Sequence, residues 1–110
     1  MNEEKIKKKI NLLETCTRIN WTDTDSEFVE QKMDELYYTL YELRKEANEI
    51  VTKLSLSLLT RLAKALQILF DNQDEFTSDV QEELEMWFLY ENIVEKIENE
   101  RELSWDELIE

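Results

Sequence analysis

Residues 29–54 read VEQKMDELYYTLYELRKEANEIVTKL, and within them Val29, Met33, Leu36, Leu40, Leu43, Ala47, Ile50 and Leu54 recur at alternating steps of four and three. That spacing keeps one side of a long α-helix apolar through an unbroken heptad seam, roughly 39 Å long at helical rise. Tyr37, Tyr41 and Val51 lie beside the seam and widen the apolar face. Such a seam packs either against helices of its own chain or against a second chain as a coiled-coil dimer. The first use is expected, because two chains of net charge −14 repel each other.

Outward from the seam the apolar spacing stays helical. A first helix is predicted over residues 3–18, with Asn2 as N-cap and Glu3 and Glu4 in the first turn. Its stripe is Ile6, Ile10, Leu13 and Cys16, with Leu12 and Ile19 beside it. Polar residues 20–25 break the period, and Thr24 with Glu27 forms a capping box that opens the second helix. A weak break at Ser55 and Ser57 precedes a third helix over 58–70. Without that break, one bent helix would run from 25 to 70. Leu58, Leu62, Leu66 and Leu69 align on the third helix, and Leu59, Ala63, Ala65, Ile68 and Phe70 surround them, so it should sit at the centre.

A polar connection over 71–77 leads to a second capping box, Ser78 with Gln81, and a fourth helix ending near 101. Val80, Leu84, Trp87 and Phe88 point one way on its helical projection. Met86, Tyr90, Ile93, Val94 and Ile97 centre roughly a third of a turn away, so this helix either passes between two neighbours or bends. Ser104 with Glu107 opens a short tail carrying Trp105, Leu108 and Ile109. The expected architecture is an all-α bundle of four main helices plus a short C-terminal helix, with residues 1–110 as one domain.

Composition excludes several chemistries. Gly, Pro and His are absent and there is one Cys. Without Gly there is no phosphate-cradling loop or dinucleotide fingerprint. Without His there is no triad and no imidazole metal site. A lone Cys forms no internal disulfide and no Cys-cluster zinc site. Cys16 lies on an apolar stripe with no histidine to activate it, and reads as a small buried hydrophobe. Asp23, Asp25 and Glu27 alternate like the start of a calcium loop, but the required Gly is missing and Asp34 stands where a bidentate Glu belongs.

The pairs Glu27/Glu30 and Glu46/Glu49 resemble the magnesium-binding carboxylates of all-α nucleoside triphosphate pyrophosphatases. In that family the paired motifs lie on separate helices and converge. Here both fall on the predicted second helix, roughly 24 Å of rise apart, and do not meet. No cofactor, metal or catalytic residue is therefore expected.

Charge is the remaining signal. Residues 1–22 hold three acids and five bases, residues 23–54 nine and four, residues 55–70 none and two, and residues 71–110 fifteen and two. The acid excess is concentrated at the C-terminal end. Direct contact with nucleic acid or an anionic membrane is disfavoured, because phosphate binding needs clustered Lys and Arg. Lys5, Lys7, Lys8 and Lys9 form only a short basic run, and no hydrophobic signal region follows them.

Two surface features are candidates for partner binding. Glu91, Glu95, Glu98 and Glu102 form an acid ladder along one edge of the fourth helix, suited to mimic a phosphate backbone or grip a basic groove. Tyr37, Tyr38 and Tyr41 stand on the shoulder of the second helix, and tyrosine is favoured at interfaces. Solvated charge and cover for a neighbouring helix are the bland alternatives.

The expected function is a small non-enzymatic inhibitor or neutralising protein that binds a basic, nucleic-acid-binding host protein through acidic helix faces. Size, helicity and charge liken it to phage-encoded DNA mimics and to bacteriocin or toxin immunity proteins, with no motif behind the likeness. The alternative is an adaptor module that pairs through the seam. Composition and the lone Cys favour the cytoplasm of a bacterial or phage-infected cell, with the chain a monomer or a homodimer.

Overall fold

The computed structural model describes residues 2–22, 24–85, 88–102 and 104–109, and for 88, 89, 108 and 109 the backbone alone. Helix α1 (Glu3–Cys16) starts at Asn2, whose side-chain oxygen accepts from the Lys5 N–H at 3.3 Å. Ile6, Ile10, Leu13 and Cys16 are all buried, as the stripe requires. Its end comes two residues before the expected one, because the Arg18 and Ile19 N–H groups turn to the carbonyls of Thr15 and Cys16, three residues back.

Helix α2 (Ser26–Lys45) is capped one residue later than the capping-box reading places it. Asp25 accepts from the Glu27 N–H at 2.9 Å and the Phe28 N–H at 3.4 Å, while the Thr24 hydroxyl donates to the Asn20 carbonyl. A carboxylate is the stronger acceptor for helix donors, which leaves the hydroxyl to close the preceding loop.

The single long second helix is corrected. It stops at Lys45, and α3 (Ala47–Lys53) begins after Glu46. The Glu46 N–H is shared between the Glu42 and Leu43 carbonyls, which tightens the last turn of α2, and Ile50 N–H returns to the Glu46 carbonyl to start α3. The interruption follows the neighbours, since α2 packs on α1 and α5 while α3 packs on α6. Met33, Leu36, Leu40, Leu43, Ile50 and Leu54 are nonetheless all buried, and Val29 and Ala47 partly so. The seam thus faces the chain's own core.

Helix α4 (Leu56–Asp71) follows a true break, with Leu54 and Ser55 extended and the Ser55 hydroxyl accepting from the Leu58 N–H. The continuous 25–70 helix is excluded. Leu58, Leu59, Leu62, Ala63, Ala65, Leu66 and Leu69 are buried against α1 on one side and α6 on the other. Each fully buried leucine contributes about 1.5–3 kcal/mol relative to exposure. Ile68, at 42 % exposure, marks the solvent edge.

A 3-10 turn (Gln73–Glu75) leads to α5 (Ser78–Glu85) and α6 (Phe88–Arg101). The cap of α5 is Thr77 rather than Ser78, with the Thr77 hydroxyl accepting from the Val80 N–H. The Gln81 amide donates instead to the Phe76 carbonyl at 2.9 Å. Val80 and Leu84 are buried on α5, which packs on α2, while Ile93 and Ile97 are buried on α6, which packs on α3 and α4. The two apolar groups thus serve two sets of neighbours. Met86 and Trp87, and the Phe88 side chain, lie outside the described residues.

Helix α7 (Trp105–Ile109) closes the chain. Ser104 accepts from the Glu107 N–H, as the third capping box predicts. Among the described residues the chain is all-helical, with seven α-helices and no strand. None of these helices is long and apolar enough to cross a membrane.

Candidate functional site

The four acids of the ladder differ in their surroundings. Glu91 and Glu95 are exposed on α6, but Glu98 is half-buried and its carboxylate accepts from the Trp105 N–H at 2.7 Å. That bond satisfies an orphan donor at the start of α7. Glu102 stands just beyond α6 with a φ of 56°, the left-handed turn that ends the helix. Glu91, Glu95 and Glu102 are therefore presented to solvent, while Glu98 is engaged at the corner into α7.

Trp105 itself is buried, so it belongs to the core rather than to a surface. Its indole N–H donates to the Gln67 side-chain oxygen at 3.0 Å, and the Tyr90 hydroxyl donates to the same oxygen at 3.5 Å. Burial raises the Tyr90 phenol above its ordinary pKa. The Leu108 and Ile109 side chains lie outside the described residues.

The tyrosines form a connected aromatic strip on α2. Tyr38 is 62 % exposed and meets Tyr37 edge-on with centroids 5.4 Å apart, while Tyr37 stacks on Tyr41 at 6.4 Å. Lys45 lies 4.5 Å and Arg44 5.7 Å from the Tyr41 ring. The Tyr41 end is thus occupied by the chain's own cations, and the Tyr38 end is open.

That open end borders a groove of about 790 Å³ between α2 and the connections that flank it. Trp21 and Phe76 meet edge-to-face at 5.5 Å and form its floor with buried Met33. Tyr37 and Tyr38 form a wall, and Glu30, Asp34, Glu75 and Asp79 are its charged lining. All four acids are exposed, and among the described residues no Lys or Arg lines the groove. Sequence reasoning missed it, because Trp21 and Phe76 sit inside two stretches read as polar connections. A single large aromatic in each of those stretches was the available signal.

Elsewhere, cations are tied to acids between helices. Arg61 of α4 meets Glu14 of α1 through two hydrogen bonds, 2.5 and 3.1 Å, and Asn11 at 2.7 Å. The Arg61 guanidinium holds the Glu14 carboxyl below its usual value. Lys9 meets Glu42 at 2.8 Å and lowers its pKa likewise. Lys96 of α6 donates to the Val51 carbonyl of α3. Arg44 of α2 meets Glu83 of α5 at 2.5 Å, and Glu83 is only 4 % exposed. Glu83 carried no sequence signal beyond being one acid among many.

The chemistry-bearing residues remain apart. Burial pushes the Cys16 thiol up to about 11, which leaves it protonated at neutral pH. Glu27 and Glu30 lie on α2, whereas Glu46 and Glu49 lie at its end and on α3. No group of three or more Cys, Asp or Glu able to hold a metal ion occurs among the described residues. Asp23 of the calcium-loop reading lies outside them. No family model, curated protein or solved structure matches this chain.

Proposed function

We propose that this chain is a small non-enzymatic inhibitor or neutralising protein that binds a basic protein partner through acidic surface. The observation that supports the reading is the distribution of exposed charge. Twelve carboxylates between residues 71 and 109 are exposed, against Lys96 and Arg101 as the cations of that region. Lys96 is engaged with the Val51 carbonyl. This stretch of the chain therefore carries uncompensated negative charge, which steers cationic partners and repels nucleic acid. A nucleic-acid-binding host protein is the partner class that presents a matching basic surface. Burial of the heptad seam in the chain's own core counts against the adaptor reading, since pairing through it would require the core to open.

The test is affinity capture of bacterial proteins on the immobilised chain at low salt, with elution by rising salt and mass spectrometry of what is released. Basic nucleic-acid-binding proteins should be enriched, lost at high salt and displaced by added DNA. Retained proteins no more basic than the lysate at large, or retention indifferent to salt, would reject the proposal.

A further inference from the structure

We infer that the groove beside Tyr38 receives a Lys- or Arg-bearing segment of the partner protein. The inference rests on the reading above and names the site and the chemistry that carry it. Charge complementarity points to the occupant: Glu30 and Asp34 on one side and Glu75 and Asp79 on the other line the groove, with no cation among them. An anionic ligand is excluded by the same four carboxylates.

The floor and wall then distinguish a side chain from a bare cation. Tyr38, 62 % exposed, offers aromatic surface that suits the methylene stem and planar head of arginine, or the stem of lysine, above a floor made by the buried Trp21 and Phe76. At about 790 Å³ the space lies in the range of sites that bury a whole organic ligand, about 300–1,000 Å³, and far exceeds what one ion fills. The groove also opens beside Tyr38, the most exposed large aromatic of the chain among those described. Tyrosine and arginine are both enriched among the residues that carry the binding energy of interfaces.

The experiment titrates N-acetylated, C-amidated hexa-arginine into the isotope-labelled full chain at low salt and follows amide and indole resonances. Shifts should centre on the Trp21 indole, residues 29–38 and residues 75–79. The test variant is Glu75→Gln with Asp79→Asn, which removes both charges from one side of the groove and is expected to weaken binding about tenfold or more. Tyr38→Ala should weaken it several-fold, and Glu100→Gln with Glu107→Gln, the same change in net charge, should weaken it less than about twofold.

Shifts confined to α6 around Glu91 and Glu95 would overturn the groove while the basic-partner reading stands. No shift anywhere would overturn both. A molecular mass that rises with concentration in the absence of peptide, and falls back in the Glu75→Gln, Asp79→Asn variant, would place a second copy in the groove and overturn the assignment.

Discussion

Removing the Arg44 guanidinium isolates the energetic role of the pair it makes with Glu83. Glu83 is 4 % exposed, while the Arg44 side chain is 35 % exposed. Deleting one partner of a fully buried ion pair costs about 3–5 kcal/mol, because a charge is left without compensation. Arg44 is partly solvated, so water reaches the vacated position and the expected cost of Arg44→Met falls to about 2–3 kcal/mol. Loss of the guanidinium from the Tyr41 ring adds about 0.5 kcal/mol.

Glu83→Met should cost less, about 1 kcal/mol, since the orphaned guanidinium can swing into solvent. With both replaced by Met no charge is left buried, and stability should return to within about 1 kcal/mol of the parent. Urea unfolding followed by far-UV circular dichroism at neutral pH gives all four corners of this cycle, with an unchanged slope confirming that only stability has moved. Arg44→Met should lower the thermal midpoint by about 10 °C for a chain of this size. A single Arg44→Met as stable as the parent, or a double variant no better than that single, would refute the argument.

Four further outcomes follow from the packing and the charge. Leu66→Asp places an unpaired charge on the fully buried face of α4 and should cost several kcal/mol, roughly 4 or more, so an unchanged urea midpoint would show that α4 is not central. Gln67→Leu removes the acceptor shared by the Trp105 indole and the Tyr90 hydroxyl, and should cost about 1–3 kcal/mol, with α7 amides exchanging faster with solvent. Glu14→Gln should cost about 1 kcal/mol at neutral pH. The folded carboxyl has the lowered pKa, so that difference from the parent is full above the ordinary carboxylate range and vanishes as pH falls through the folded value. Glu91→Lys with Glu95→Lys should slow association with a partner that meets α6 while far-UV circular dichroism shows the helices retained, and an unchanged on-rate would move that contact to the Tyr37, Tyr38 and Tyr41 face.

The buried set was legible because it is periodic. Ile6, Ile10, Leu13 and Cys16, and most of the seam from Val29 to Leu54, could be assigned from spacing alone, and they are buried or half-buried. Where the sequence offered two adjacent capping groups it misdirected the reading, at Thr24–Asp25 because the Thr24 hydroxyl is taken by the preceding loop, and at Thr77–Ser78, where Thr77 is the cap. The stop at Glu46 was hidden for a different reason. Nothing local forbids helix there, and only the change of neighbours from α1 and α5 to α6 explains it. Three members of the ladder, Glu91, Glu95 and Glu98, lie on α6 as their spacing implies, and the fourth lies one residue past its end. Glu98 is spent on the Trp105 N–H and Glu102 has already turned out of the helical region. The groove left only the lone aromatic in each polar connection as its signal, and spacing could not pair them, since it joins Trp21 and Phe76 across more than fifty residues of chain.

The division of charge gives salt opposite effects on the fold and on binding. Before residue 71, Lys9, Arg44 and Arg61 serve as ties between helices, to Glu42, Glu83 and Glu14 respectively, and those three acids are spent on them. The C-terminal region has too few cations to do the same, so its exposed carboxylates repel one another in the folded state. Screening by salt relieves that repulsion and should raise the unfolding midpoint of the free chain, while it removes the long-range attraction that brings a basic partner in. A cationic ligand that binds only the folded state acts like salt on stability, but at concentrations set by its own affinity. Hexa-arginine that raises the midpoint far below the concentration at which sodium chloride does so would therefore be engaged at a site. Parallel curves on a charge-equivalent scale would mean that the acidic surface attracts cations only as an atmosphere.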